Sequence, residues 1–264
     1  MIGAIIGDIV GSRFEWSNIK SKDFKFFTNK CFLTDDSIMT LALAQAILAS
    51  EPDYSDLSKN AVKYMRAIGR KYPDCGYGRG FFMWMFSDNP KPYNSFGNGA
   101  AMRVSAAGFA ADSLEAAKEI SKKLTEVTHN HPEGIKGAEA TAVAVYMAKS
   151  GSSLSEIRDY IDSNYYPMDF TLDGIRATYE FNETCQNTVP QALMAFFEST
   201  GFEDAIRNAI SIGGDSDTLA AICGGIAEAY YGVPPEFRRY AFIFMDKQLL
   251  KILAAFEDKY PPVK

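Results

Sequence analysis

Residues 213–232 read GGDSDTLAAICGGIAEAYYG: a glycine pair, an acidic and hydroxyl-bearing cluster, then a run of small and apolar residues without proline. The run from Thr218 to Tyr231 lacks period-two alternation, so it is predicted as a helix, and its small residues Ala220 and Gly224 mark a face for close packing. The same device stands near the other end of the chain, where Gly3, Gly7 and Gly11 recur every four residues. Glycine inside a helix costs roughly 1 kcal/mol relative to alanine, so its repetition on one face points to close backbone approach. One interval further the stripe reaches Glu15, and the same face delivers a carboxylate near the helix end.

Helical spacing accounts for most of the remaining sequence. Leu57, Ala61, Tyr64, Met65 and Ile68 precede a stop at Gly69, while Leu114, Ala117, Ser121, Leu124 and Val127 follow a cap at Asp112. Further helices are predicted over 135–148, over 153–162 with Ser153 and Glu156 as a capping box, over 190–199 with Thr188 ahead of proline in the first turn, over 202–210 and over 235–256. The expectation is an all-α, multi-helix fold. With 264 residues, 47% of them hydrophobic and no long linker, the chain is expected to form one domain over 1–264. Two stretches, 72–80 (YPDCGYGRG) and 89–99 (NPKPYNSFGNG), are too rich in glycine, proline and asparagine to be helical throughout, and are candidate binding loops.

A net charge of −6 argues against a broad nucleic-acid-binding face, which needs a basic surface. The four cysteines, Cys31, Cys75, Cys185 and Cys223, have no C-x-x-C spacing and suit buried thiols in a reducing compartment, so a cytoplasmic location is expected. The apolar N-terminal stretch has no basic leader and is interrupted by Asp8 and Arg13; no other stretch is long and apolar enough to cross a bilayer.

The chemistry concentrates in two clusters, Thr34-Asp35-Asp36-Ser37 and Gly213-Gly214-Asp215-Ser216-Asp217-Thr218, each opening a small-residue helix. One carboxylate at a helix start is commonly a cap, because the free N–H groups there favour an acceptor. Each cluster carries two. If the two helix mouths converge, four carboxylates repel one another unless protonated or neutralised by cations. Thr34, Asp35, Asp36, Asp215, Asp217 and Thr218 offer only hard oxygen donors, which suit magnesium or manganese and not zinc.

Taken together, the motifs resemble the ADP-ribosylglycohydrolase family. The resemblance rests on GDIVGSRFE at 7–15, TDDS at 34–37, SFGNGAAMRV at 95–104, TH at 128–129 and GGDSDT at 213–218, followed by an Ala/Gly helix ending in Tyr230-Tyr231-Gly232. It implies an orthogonal bundle of α-helices with a dinuclear Mg²⁺ or Mn²⁺ centre at the base of an ADP-ribose cleft. It further implies Glu15 as the acid–base residue and a substrate site formed by Gly76, Gly80, Ser95, Phe96, Gly97, Asn98, Gly99, Met102 and His129. The implied reaction is hydrolysis of an N- or O-glycosidic bond between ADP-ribose and an acceptor, either a protein side chain or a small-molecule adduct, with nucleic acid entering only as an ADP-ribosylated acceptor.

The residues carry part of this independently. Ser95 to Gly99 has the composition of an anion-cradling turn, in which glycines let backbone N–H groups approach a diphosphate; an ordinary turn has the same composition. No hydrophobic strand precedes it, so it is not a dinucleotide-fold fingerprint. Of the two histidines, His129 falls on the family's ligand-contacting position, whereas His131, ahead of Pro132, reads as a loop or capping residue. Arg103 reads either as a phosphate contact or as a packing residue. Two other activities fit the same residues: a dinuclear-metal phosphohydrolase on nucleotide or ADP-ribose derivatives, and a non-catalytic ADP-ribose binder.

Overall fold

Helical periodicity carries through to fourteen α-helices and three short 3-10 turns in the computed structural model, which describes residues 1–261. The first half contains α1 (Ile2–Gly11), α2 (Asp35–Leu48), α3 (Leu57–Gly69), α4 (Arg79–Phe86), α5 (Ser105–Ala110), α6 (Leu114–Thr125) and α7 (Pro132–Lys149). The second half adds α8 (Leu154–Asn164), α9 (Leu172–Arg176), α10 (Val189–Phe197), α11 (Phe202–Ser211), α12 (Ser216–Tyr231), α13 (Pro235–Phe242) and α14 (Lys247–Lys259). Among the described residues the only β pairing is an isolated bridge between Gly97 and Thr184.

The two small-residue stripes pack on each other. A Cβ placed on Gly3, Gly7 or Gly11 would stand 2.3 Å from the Gly224 carbonyl oxygen, 2.0 Å from that of Ala220 and 2.5 Å from that of Ser216, respectively. As numbers rise along α1 they fall along α12, so the helices run antiparallel with their backbones in contact. The end of α1 therefore lies beside the start of α12. At the opposite end of the seam, the buried Glu228 carboxylate accepts the Gly3 N–H at 2.7 Å and pairs with the Met1 amino group, satisfying donors that a helix start leaves free. Gly7→Ala is expected to lower the unfolding free energy by about 3 kcal/mol, because backbone and not a flexible side chain blocks the new methyl group. Urea denaturation reads this, and a change within about 0.5 kcal/mol would show that the seam opens freely.

Helices α2, α7 and α12 are buried over most of their circumference, which explains why their sequences are small and apolar all round and not striped. Ala138, Ala140, Ala142 and Ala144 give α7 the same close-packing role, and Gly108 of α5 meets the Ala142 carbonyl oxygen, 2.5 Å from where its Cβ would be. The amphipathic helices α3, α6, α8, α11 and α14 cover this centre.

Several predicted boundaries move. The stretch 235–256 is two helices, because Asp246 caps a new start by accepting from the N–H groups of Gln248 and Leu249 at 2.8 and 3.0 Å. The cap of α6 is Ser113, not Asp112, with Oγ accepting the Ala116 N–H at 3.1 Å. Helix α7 begins at Pro132, three residues before Ile135, since His131 Nδ1 caps it by accepting the Glu133 N–H at 3.1 Å. Ser153 and Glu156 form the expected capping box.

Candidate active site

Beyond Gly11 the chain tightens into a 3-10 turn over Ser12–Phe14, and Glu15 follows with φ −50° and ψ −52°. Asn18 ties this end to the glycine pair. Its Nδ2 donates to the carbonyls of Phe14, Glu15 and Gly214 at 2.7, 3.0 and 2.8 Å, and its Oδ1 accepts the Gly214 N–H at 2.7 Å. Gly213 and Gly214 have φ of +71° and +76°, a region that side chains disfavour, which is why two glycines precede Asp215 at the mouth of α12.

On the facing helix, Thr34 is the cap: its Oγ1 accepts the Asp36 N–H at 3.2 Å. The side chain of Asp215 occupies the corresponding place on α12 but makes no capping bond. Capping therefore accounts for neither pair of carboxylates. Asp8, fully buried in α1, holds the start of α2 by accepting from Thr34 N–H and Ser37 N–H at 3.1 Å each, from Thr34 Oγ1 at 2.7 Å and from the Ser37 hydroxyl. In sequence Asp8 is only an interruption of an apolar run. Its signal was there: a charged residue inside a buried helix needs dedicated partners.

The clusters converge. Thr218 Oγ1 lies 3.3 Å from Asp36 Oδ2, and carboxylate oxygens of Glu15, Asp215 and Asp217 lie within 4.8 Å of one another. Asp36 Oδ1 is buried without a hydrogen-bond partner, and no ion pair among the described residues includes any of these groups. Burial first, then the neighbouring carboxylates, holds Asp35, Asp36 and Asp217 well above the usual carboxylate range. Burial followed by Asp215 raises Glu15 to about 7, and burial, opposed by hydrogen bonds from Ser37 and Thr34, raises Asp8 to about 6. An all-oxygen, electron-rich pocket with an orphaned carboxylate oxygen fits hard divalent cations.

These shifts set a sign for stability. Below about pH 4 both folded and unfolded carboxyls hold their protons; above it the unfolded chain ionises while the folded cluster resists, so metal-free stability falls as pH rises toward 6 to 7. The metal-free protein is expected to melt at a higher temperature near about pH 5 than near about pH 7.5, and saturating Mg²⁺ or Mn²⁺ should raise the melting point more at the higher pH. A metal-free melting point that stays flat or climbs over this range would contradict the crowded-carboxylate account.

Every predicted site residue except Phe96 lines a single cavity of about 300 Å³. Phe96 is 43% exposed and sits with its ring 5.2 Å from that of His131. Gly76, with φ +93°, brings its backbone to Asp35, and Gly80 faces the Tyr93 ring. In the glycine turn Ser95 Oγ accepts the Gly97 N–H at 3.2 Å and the Asn98 N–H donates to the Glu183 carbonyl at 2.7 Å. The Asn98 amide donates to Asp215 Oδ2 at 2.8 Å and Thr188 Oγ1 at 3.2 Å, so the turn is braced against the acidic cluster. Neither Gly97 nor Gly99 has a positive φ; their missing side chains matter for space. Arg79 and Tyr93, from the two candidate binding loops, and Arg103, read as a phosphate contact or a packing residue, line the cavity too; Glu183 and Phe81 line it and were not predicted to. Glu183 lies in an aperiodic stretch that pairing with the glycine turn, through Asn98 and the Gly97–Thr184 bridge, brings to the site.

The family model described as ADP-ribosylglycohydrolase matches residues 1–254. The chain belongs to the ADP-ribosylglycohydrolase family. It is 28% identical to ADP-ribosylhydrolase ARH3 of Homo sapiens, over 88% of this chain and 84% of that protein. It is 25% identical to the ADP-ribosylarginine hydrolase Tri1 of Pseudomonas putida, over 90% of this chain and 71% of that one. Among solved structures, an ADP-ribosylglycohydrolase-related protein complex superposes with a TM-score of 0.66 at 21% identity, covering 96% of this chain and 95% of the other, a likeness of fold. Members of the family are metal-dependent hydrolases, and the chain is an enzyme of that class. No helix among the described residues is long and apolar enough to cross a membrane.

Proposed function

We propose that this ADP-ribosylglycohydrolase cleaves the bond between the anomeric carbon of ADP-ribose and an acceptor, on an ADP-ribosylated protein or a small-molecule adduct, in the cytoplasm. The observation that carries the reading is the convergence of Glu15, both acidic clusters and the glycine turn on one cavity. Thr34, Asp35, Asp36, Asp215, Asp217 and Thr218 would hold two Mg²⁺ or Mn²⁺ ions, which when bound supply charge stabilisation and orientation of sugar hydroxyls and water. The Ser95–Gly99 turn and His129 receive the diphosphate, with Gly76 and Gly80 leaving room for the ribose beside Asp35. Glu15 stands among the cluster carboxylates at the end of α1, where it exchanges a proton with the leaving group or the attacking water. A phosphohydrolase or a non-catalytic binder on the same residues is not favoured by relatives that are named hydrolases of ADP-ribosyl bonds.

Product analysis on a panel of defined ADP-ribosyl linkages, with and without Mg²⁺ or Mn²⁺, tests the proposal. Free ADP-ribose released only with metal is expected; inorganic phosphate, or no product at all, would sink it. The turn has its own test. A Cβ on Gly97 would lie 3.3 Å from Ser95 Oγ and 3.4 Å from the Glu183 carbonyl oxygen, and one on Gly99 would lie 3.4 Å from His129 Nε2. Gly97→Val and Gly99→Val are expected to weaken ADP-ribose binding by about tenfold or more, as read by titration calorimetry, and unchanged affinity in both would remove the turn from the diphosphate site.

A further inference from the structure

His129 is held from behind by a buried cation. Arg103 is 1% exposed, and among the described residues no carboxylate pairs with it. Its Nη2 lies 2.7 Å from Thr128 Oγ1 and 3.2 Å from His129 Nδ1, Thr128 Oγ1 is itself 2.8 Å from Nδ1, and the guanidinium sits 5.1 Å from the Phe81 ring centre. A guanidinium has donors and no acceptor. Burial lowers Arg103 only to about 10, so it stays charged at neutral pH. Nδ1 must then accept, since an Nδ1–H would set donor against donor beside a buried positive charge. Burial, then Arg103, also pushes the imidazole well below its ordinary pKa.

The other ring nitrogen faces the cavity. His129 Nε2 lies 3.4 Å from where a Gly99 Cβ would stand and 3.7 Å from that of Gly97, and it has no hydrogen-bond partner among the described residues. We infer that Arg103 is a positioning residue that locks His129 in the Nε2–H tautomer, presenting one fixed, uncharged donor to an anionic oxygen at the Ser95–Gly99 turn. That the oxygen belongs to a diphosphate rests on the function proposed above. His129 is then a donor and not a proton relay, because its second nitrogen is committed to the cation behind it.

Long-range ¹H–¹⁵N correlation spectra of the full-length protein labelled at histidine read the tautomer directly, and with two histidines in the chain His131→Gln assigns both. At neutral pH the wild-type spectrum should show His129 with an unprotonated Nδ1 and a protonated Nε2, before any ligand is added. Arg103→Gln should mix the two tautomers and weaken ADP-ribose binding about tenfold, and Arg103→Lys, which restores a donor cation, should return the spectrum toward Nε2–H. An Nδ1–H tautomer or an imidazolium in the wild type would overturn the inference, as would a folded Arg103→Gln whose tautomer is unchanged. Failure of the wild type to bind ADP-ribose while showing the Nε2–H tautomer would instead reject the ligand proposed for the site.

Discussion

Asp36→Asn and Asp215→Asn are each expected to abolish turnover and to weaken divalent-ion binding by more than about a hundredfold, while helical content stays unchanged. The magnitude follows from the donor set: disturbing a residue that merely supports a metal ligand typically costs about 10–100-fold in affinity, and these carboxylates are proposed as ligands themselves. Asp36 has one buried oxygen without a protein partner and the other 3.3 Å from Thr218 Oγ1; Asp215 is braced by Asn98 at 2.8 Å. The amide keeps the shape of either side chain but removes a negative charge from a group in which several carboxyls are already held above their ordinary range by burial and mutual repulsion. The metal-free variants should therefore melt at or above the wild-type temperature, the opposite of what loss of a structural hydrogen bond would give. Calorimetric titration with Mg²⁺ and Mn²⁺, with thermal melts of the same samples, reads both signs. Wild-type metal affinity in both variants would dissolve the two-cluster site.

Glu15→Gln is expected to retain ADP-ribose and metal binding and to lose about 10²–10⁴ in single-turnover cleavage. Glutamine keeps the length and hydrogen-bonding capacity of the side chain but cannot exchange a proton at neutral pH. Glu15 is partly buried, near enough to Asp215 and Asp217 for oxygens to lie within 4.8 Å, and raised to about 7 by burial and then by Asp215. A group near neutrality suits proton transfer in either direction, although bound cations would draw its pKa down. If Glu15 were only a surface partner, the change would shift stability by about 1 kcal/mol or less and spare the reaction. Near-normal cleavage by metal-loaded Glu15→Gln would take Glu15 out of the mechanism, and loss of metal together with cleavage would reassign it as a ligand.

Much of the site was legible because its parts are local. Thr34-Asp35-Asp36-Ser37 and Gly213 to Thr218 each hold more acid than a cap uses, and the excess is visible without coordinates. Asn18 and Asp8 were not legible as site residues, and Arg103 reads in sequence as a phosphate contact or a packing residue and not as the partner of His129. Asn18 acts on a turn 196 positions away, Asp8 on a helix start 26 positions away and Arg103 on a histidine 26 positions away, and a lone polar residue in sequence carries no sign of which partner it will meet. The split between α13 and α14 escaped for a related reason: Asp246 as a cap interrupts an amphipathic pattern without changing its composition.

What the sequence determined by itself is the helical class, the two glycine- and alanine-lined faces, the hard-oxygen character of the acidic clusters and the spacing that carries Glu15 one interval beyond Gly11. All of these follow from short-range chemistry: periodicity, the space a hydrogen leaves where a methyl group would be, and the donor type of each side chain. Only the tertiary structure decided that the two faces meet each other, and that they meet antiparallel. Had they packed in parallel, the end of α1 would lie beside Tyr231 and not Asp215. Because the Gly3–Gly224, Gly7–Ala220 and Gly11–Ser216 contacts run in opposite senses along the two helices, the backbone seam brings Glu15 to a carboxylate cluster two hundred positions downstream.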